Sequence, residues 1–212
     1  MDEGQSHTVP LARTKRIIIL VFFSTFGLAY AFNIYPFLVI NQPVNGEILV
    51  VEGWIPSALL EQAAELFNHG SYTMIASVGG PSTGETADRI EQTDAYRGKN
   101  ELIEFGVPAE KIVAVPVWEL KQNRTFTTAK AFSLWLNEVK PSVKKIDVFT
   151  ASVHGRKSRL LFRRALGDSV QVGIISANSE ESEDKFWFRS KRMLYLIPRN
   201  TLGYLYALLF TF

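Results

Sequence analysis

Five short runs of apolar residues, separated by helical patterns, restrict the possible folds of this chain more than any other feature. Within each run the apolar residues follow one another without polar alternation, which is typical of strands buried on both faces of a sheet. The predicted strands cover residues 47–53, 72–80, 111–117, 145–151 and 171–177, and the predicted helices cover 57–70, a segment ending at 106, 125–139 and 154–167. This alternation predicts a Rossmann-like three-layer α/β/α domain with a mainly parallel five-stranded sheet.

A long apolar segment precedes the first predicted strand. Residues 17–37 carry no charge and directly follow Arg13, Lys15 and Arg16. A helix needs roughly 20 apolar residues to cross a bilayer, and this segment supplies them. Cations on its N-terminal side alone place that side in the cytoplasm and the domain outside. The segment is therefore predicted to be a single-pass signal-anchor.

Two other interpretations of this segment stay open. Ala29-Tyr30-Ala31 is a small-x-small site after an apolar stretch, which is the pattern of a cleaved signal peptide. A buried structural helix is the second alternative, although the basic flank argues against it. The predicted division of the chain is a cytoplasmic tail over 1–16, the anchor over 17–37, a linker over 38–46 and the α/β domain over 47–212.

The C-terminal residues 201–212 are also apolar, but they are too few to span a bilayer. They are predicted either to pack on the sheet or to lie in the membrane interface beside the anchor. An acidic loop and then a short helix are predicted just before them.

Composition excludes several classes of function. A net charge of +2 over 212 residues gives no reason to expect a nucleic-acid partner. The absence of cysteine removes disulfides, thiolate metal sites and a cysteine nucleophile. The dinucleotide, P-loop and serine-hydrolase motifs are also missing. The sequence identifies no cofactor and no protein partner, and it favours a site without a metal ion; a divalent cation at Glu52 and Glu119 is the less favoured alternative.

Polar and glycine residues gather just after the predicted strands. In an open parallel sheet the carboxyl ends of the strands share one edge, and ligands bind there next to helix N-termini. The candidates at this edge are Glu52, Gly53, Gly79, Gly80, Glu119, Arg124, Thr125, Thr150, Ser152 and His154. The sequence therefore predicts a ligand site at the carboxyl edge.

The basic stretch "HGRKSR" follows the fourth predicted strand. Helical spacing places Arg156 and Arg159 on the face opposite the core, so most of this cluster is predicted to be surface. Lys157 lies at the margin of the buried face, beside the free N–H groups of the helix start, where an anion would meet both cation and dipole. We expect His154, Arg156 and Lys157 to border an anion site.

His154 and Glu119 are the candidates for acid–base chemistry. A histidine with a near-neutral pKa suits proton transfer, and a carboxylate at the same edge could act with it. The alternative for His154 is a structural role, hydrogen-bonded to a neighbouring loop.

Several motifs occur here in the order and spacing of a known bacterial family. "SVGG" follows the second predicted strand, and "FGVPAEKI" leads into the third. Farther along are an acidic residue after the third predicted strand, an Arg-Thr pair that opens the next helix, and a Thr-x-x-x-His motif after the fourth strand. These are Glu119, Arg124-Thr125, and Thr150 with His154. From about Ile48 to Ile175 the chain resembles the YdcF/SanA/ElyC family, nearest its SanA-like branch. Asp94 stands where that family commonly has a glutamate, and Lys157 where it often has an arginine, which adds Asp94 to the ligand-binding candidates.

The resemblance implies a Rossmann-like domain held at the bacterial inner membrane and facing the periplasm. It implies a link to the cell envelope and to peptidoglycan-precursor or lipid-carrier metabolism, with no assigned reaction. Two hypotheses follow. The first is an enzyme that acts on a phosphorylated or otherwise anionic envelope metabolite, and the second is a non-catalytic module that senses a nucleoside-like or anionic ligand or docks onto envelope proteins. An inactive scaffold, with Trp54 plugging the pocket, is a third.

Overall fold

A five-stranded parallel sheet with helices on both faces forms the centre of the molecule. The computed structural model describes residues 11–120, 123–177 and 187–211. The strands are β1 (Ile48–Glu52), β2 (Met74–Gly79), β3 (Ile112–Pro116), β4 (Lys145–Ala151) and β5 (Gln171–Ala177). Their order is β3-β2-β1-β4-β5 and every pair is parallel, so the predicted fold class is confirmed.

Helices cover the sheet on both sides and extend beyond it. They are α1 (Leu11–Leu38), α2 (Ser57–His69), α3 (Asp94–Glu104), α4 (Arg124–Val139), α5 (Gly155–Leu166) and α6 (Lys191–Phe210). Alternate side chains of β1 enter the two apolar layers: Val50 packs with Phe132 of α4 and Phe162 of α5, while Leu49 packs with Leu60 of α2. This double burial explains the unbroken apolar run of the strand, because both of its faces meet a helix layer.

The strand order fixes where a ligand can bind. The chain winds outward from β1 to β2 and β3, and then returns to place β4 on the other side of β1. The crevice between the carboxyl ends of β1 and β4 is thus the topological switch point of the sheet, which is the usual ligand position in open α/β folds. Glu52 ends β1 at this crevice, and Thr150 approaches it from β4.

The opposite, amino-terminal edge of the sheet is closed by a buried carboxylate. Asp147 of β4 is fully buried and accepts hydrogen bonds from the backbone N–H groups of Val44 and Gly46, both at 2.7 Å. The hydroxyl of Tyr72 donates a third, at 3.1 Å. Burial and the charge of Asp147 raise the pKa of Tyr72, which keeps this hydroxyl a donor. These bonds fasten the linker after α1 to the sheet.

Helix α1 is the one helix, in the part of the chain that the structure describes, that is long and apolar enough to cross a membrane. The span covers Arg13–Leu38 with a mean hydropathy of 2.1 over its most apolar window, of which 6% is buried. A core helix of a soluble domain would be mostly buried, so the structural-helix alternative does not describe α1. Its last turns do pack on the domain, where Ile34 and Leu38 contact Trp187 and Ile197.

The C-terminal region differs from the sequence prediction. Instead of a short helix and a separate apolar tail, residues Lys191–Phe210 form one helix, with Ser190 capping it by accepting a hydrogen bond from the N–H of Met193 at 3.3 Å. This helix packs against α5 and α1 and does not join the sheet. The predicted acidic loop falls largely at 178–186, outside the described residues.

Candidate functional site

A cavity of about 530 Å³ lies at the carboxyl edge of β1 and β2, below α6. The N-terminal turns of α3, α4 and α5 point into it, so three helix dipoles place their positive ends around one space. The sequence-predicted residues that line it are Glu52, Gly79, Gly80, Asp94, Arg124, Thr125, His154 and Lys157. The predicted convergence of these elements on one edge is therefore found in the structure.

Glu52 forms the floor of the cavity. Its side chain is buried, and its Oε2 accepts hydrogen bonds from the hydroxyls of Thr150 and of Ser158, the latter at 3.0 Å. Burial raises the pKa of Glu52, while those hydrogen bonds and the charge of Lys157 work in the opposite direction. The two hydroxyls hold the carboxylate in one orientation, next to the ammonium group of Lys157.

Lys157 stands in the first turns of α5 and reaches into the same space. Burial lowers its pKa, the charge of Glu52 opposes this shift, and the charge of Arg199 reinforces it. Within the described ranges its ammonium group forms no hydrogen bond or ion pair of ordinary length. A cation in this position is stabilised by any anion that enters the cavity, because the anion would offset both the burial and the repulsion from Arg199.

His154 precedes α5 and packs against Trp54, with 4.6 Å between the ring centroids. Burial, together with the charges of Lys157 and Arg199, lowers the pKa of His154 to about 3. The imidazole is therefore neutral at physiological pH, and the near-neutral pKa expected from the sequence is not found. Its Nδ1 is buried and has no hydrogen-bond partner among the described residues, so the predicted bond to a neighbouring loop is not found there either.

Arg124 and Asp94 form the rim of the cavity. Arg124 begins α4 and donates from Nη2 to the carbonyl oxygen of Pro81 at 2.9 Å, while the same atom lies 3.9 Å from Oδ2 of Asp94. The other oxygen of Asp94 accepts a hydrogen bond from Ser82 at 2.9 Å. Asp94 thus neutralises part of the charge of Arg124, which leaves Lys157 and Arg199 as the stronger attraction for an anion.

Glu119 is not part of the cavity, which corrects its assignment as a catalytic candidate. The chain after β3 is extended, and Thr86 pairs with Glu119 in an isolated antiparallel bridge. Side chains alternate along extended backbone, so the buried Leu120 points inward beside Gly80 while Glu119 is exposed. The predicted pair of His154 and Glu119 is therefore not assembled.

Arg156 is also placed elsewhere, which corrects its assignment to the anion site. Successive residues of a helix point about 100° apart, so Arg156 and Lys157 leave α5 in different directions. The guanidinium of Arg156 lies 4.1 Å from the ring centroid of Phe37 and donates to the Phe37 carbonyl. It lines a separate groove of about 760 Å³ with Arg159, Arg163 and Arg164.

The other three predicted residues do not line the cavity; two lie behind it and one lies beside it. Thr150 is buried and binds Glu52, as described above. A Cβ at Gly53 would lie 2.1 Å from the carbonyl oxygen of Asp94, so this glycine allows α3 to approach the end of β1. Ser152, which has a φ of 29°, lines a smaller cavity of about 200 Å³ on the other side of His154.

Sequence reasoning missed the contribution of α6. Arg199 and Asn200 line the cavity from above, and a Cβ at Gly203 would lie 3.5 Å from Cδ of Lys157. Their signal in the sequence is a polar pair inside an otherwise apolar C-terminal stretch. A second cavity of about 430 Å³ shares Arg124, Thr125 and Lys157 with the first and continues along α6.

Within 11–120, 123–177 and 187–211, no group of three or more histidine or acidic side chains lies close enough together to hold a metal. Glu52 and Asp94 both line the cavity, but each is engaged by hydroxyl or guanidinium groups.

Comparisons of the chain with protein families, with curated proteins and with solved structures each found no match. The resemblance to the YdcF/SanA/ElyC family thus stays a prediction from motifs.

Proposed function

We propose that this protein binds a small anionic ligand, such as a phosphate-bearing or nucleoside-like metabolite, in the cavity at the carboxyl edge of its sheet. The observation that carries the proposal is the position of Lys157, which lines this cavity with Arg199 and has no direct ion-pair partner among the described residues. The positive end of α5 lies beside it.

Charge and hydrogen bonding in the cavity both favour an anion. The charges of Lys157 and Arg199 act on each other unfavourably, and an anion between them replaces repulsion with two attractions. The ring of His154 also lines the cavity, and its Nδ1 is buried without a hydrogen-bond partner among the described residues. Trp54 forms a wall of the cavity and leaves its space open, which argues against the plugged scaffold.

The same geometry favours binding over catalysis. Glu119 is outside the cavity, and the lowered pKa of His154 makes it a poor proton acceptor at neutral pH. A catalytic role would have to use His154 with Glu52, whose carboxylate is already held by Thr150 and Ser158. A sensing role in the envelope is the second candidate, and it uses the same anion-binding groups.

We further propose that α1 anchors the domain at the bacterial inner membrane, with the domain on the periplasmic side. Arg13, Lys15 and Arg16 precede the uncharged residues 17–37 and are exposed, which fits a cytoplasmic N-terminus. The motif resemblance to the YdcF/SanA/ElyC family is the support for an envelope role and for peptidoglycan-precursor metabolism.

Native mass spectrometry of the full chain, purified in detergent from a bacterial host, tests the binding proposal. We expect a co-purifying anionic small molecule that is lost in Lys157→Ala and kept in Lys140→Ala, which removes an exposed lysine at the end of α4. A ligand-free mass that does not change on adding nucleotides or phosphorylated sugars would contradict the proposal.

A further inference from the structure

The outer face of α6 is apolar and exposed over most of the helix. This face, defined by Tyr195, Leu202, Leu205 and Leu209, follows the helical spacing of seven, three and four residues. Leu202 is 67% exposed and Leu209 is 58% exposed. Apolar patches of this extent on a folded domain mark a surface that is covered in the working protein.

The contacts of α6 with α1 indicate what covers it. The hydroxyl of Tyr30 lies 3.1 Å from Oγ1 of Thr201, and the rings of Phe37 and Tyr204 meet at 5.5 Å. The indole N–H of Trp187, just before α6, donates to the carbonyl oxygen of Ala31 at 2.7 Å. The last turns of the membrane-spanning candidate are therefore joined to α6 along its length.

The length of α1 shows at which depth this contact lies. After the last cation, Arg16, only residues 17–29 are free of the domain, and about 13 helical residues extend roughly 20 Å. The hydrocarbon core of a bilayer is about 30 Å thick. The missing ~10 Å can come only from residues 30–36, which are the turns that contact α6 and Trp187.

The basic groove lies at the depth expected for lipid phosphates. Arg156 binds the carbonyl oxygen of Phe37, at the point where this count places the end of the hydrocarbon core. Arg159 and Arg163 follow along the same groove, farther from the anchor. By the same count Tyr30, and Trp187 bound to Ala31, lie about 10 Å deeper, within the outer leaflet.

We infer that α6 is an interfacial helix, whose outer face lies in the outer leaflet of the bilayer that α1 crosses. This inference depends on the proposed anchor. It goes beyond that proposal because it assigns a second membrane contact, made by the domain itself. Asn200 is buried on the inner side of α6, whereas Arg199 is exposed beside the outer face and donates a hydrogen bond to the hydroxyl of Tyr195 at 3.1 Å. Both residues also line the anion cavity, so the same helix that touches lipid forms the roof of that cavity.

Single-site fluorescence tests this inference on the full chain. The natural sequence has no cysteine, so Leu202→Cys and Leu209→Cys each accept one environment-sensitive fluorophore. Phe23→Cys reports on the anchor, and Leu134→Cys is the matched control, since Leu134 is a 73% exposed leucine on α4. The labelled proteins are reconstituted in vesicles of phosphatidylethanolamine and phosphatidylglycerol with a nitroxide near the top of the acyl chain.

We expect the labels at positions 202 and 209 to be quenched by the nitroxide lipid about as strongly as the label at position 23, with the control quenched several-fold less. If aqueous iodide alone quenches the labels at positions 202 and 209 while the nitroxide lipid still quenches the label at position 23, α6 does not lie in the bilayer. That result would overturn the inference but would still support α1 as the anchor. If neither quencher reaches the labels at positions 202 and 209, another protein surface covers α6, and this result would also overturn the inference. A label at position 23 that lipid does not quench would refute the anchor itself.

Discussion

Two carboxylates are buried in neighbouring strands at opposite ends of the sheet, and their surroundings differ in kind. Asp147 in β4 is surrounded by donors of the fold itself, namely two backbone N–H groups and the hydroxyl of Tyr72. Glu52 at the end of β1 also accepts bonds from the fold, but it lines a cavity and acts on Lys157 across it.

The difference separates a structural carboxylate from one in a binding site. All the polar groups around Asp147 gain a partner from it, so its role is complete within the fold. Around Glu52, by contrast, Lys157 and the Nδ1 of His154 still lack direct partners in the described part of the chain. Unpaired polar groups beside a cavity are a reason to expect a ligand.

The largest effect is expected from Asp147→Ala, on the stability of the fold. The change leaves the buried N–H groups of Val44 and Gly46 without an acceptor, so the free energy of unfolding should fall by ~3 kcal/mol. Asp88→Ala, at an exposed acidic residue, should change it by less than about 0.5 kcal/mol. Denaturant unfolding followed by tryptophan fluorescence measures both, and an unchanged midpoint for Asp147→Ala would remove the structural assignment.

The next largest effect is expected from Lys157→Ala, on binding rather than on stability. Loss of a charge-assisted contact worth ~1.5–3 kcal/mol should weaken sulfate binding by roughly ten- to a hundred-fold. Arg156→Ala is the matched control, because that guanidinium contacts Phe37 instead of the cavity. Titration calorimetry on the full chain in detergent compares them, and equal losses in the two variants would show that sulfate binds elsewhere.

Glu52→Gln is expected to change sulfate affinity less than Lys157→Ala does, and in the opposite direction. The amide keeps an acceptor for Thr150 and Ser158 but removes a negative charge next to Lys157, so sulfate affinity should rise several-fold. Asp147→Asn, in contrast, should leave affinity unchanged and lower stability, since its amide N–H₂ would face backbone donors. Weaker sulfate binding by Glu52→Gln would mean that Glu52 itself contacts the anion.

Of these changes, a shift in pH near neutrality is expected to alter sulfate affinity least. Sulfate keeps its charge over the whole working range, and His154, with its pKa of about 3, stays neutral above about pH 5. Affinity should therefore show no step from His154 near neutral pH, and it should fall on the alkaline side as Lys157 loses its proton, at a pKa below the ordinary lysine value. A step in affinity near pH 6.5 would show that His154 titrates and binds as a cation.

The sheet and most of the cavity could be predicted from the sequence because both depend on local pattern. The unbroken apolar run of β1 fixes a doubly buried strand, and the residue that ends it, Glu52, must then lie at the carboxyl edge. The position of Lys157 follows equally from helical spacing after β4. Neither position depends on contacts between residues that are distant in the sequence.

The remaining features depend on tertiary contacts that local pattern does not contain. Arg199 joins the cavity only because α6 folds back over the sheet edge. Glu119 does not line the cavity, because Leu120 occupies the inward position beside Gly80. The role of Asp147 depends on backbone donors about a hundred residues earlier in the chain, so its strand looked like any other buried strand.

The small anionic ligand is expected to bind in the cavity, whereas the larger arginine groove is expected to face lipid phosphates. Diffraction from crystals of the full chain soaked in selenate, an anomalously scattering analogue of sulfate, tests it directly. We expect an anomalous peak within hydrogen-bond distance of Lys157 Nζ and of the Arg199 guanidinium. A peak found only among Arg156, Arg159 and Arg163, with an empty cavity, would contradict it.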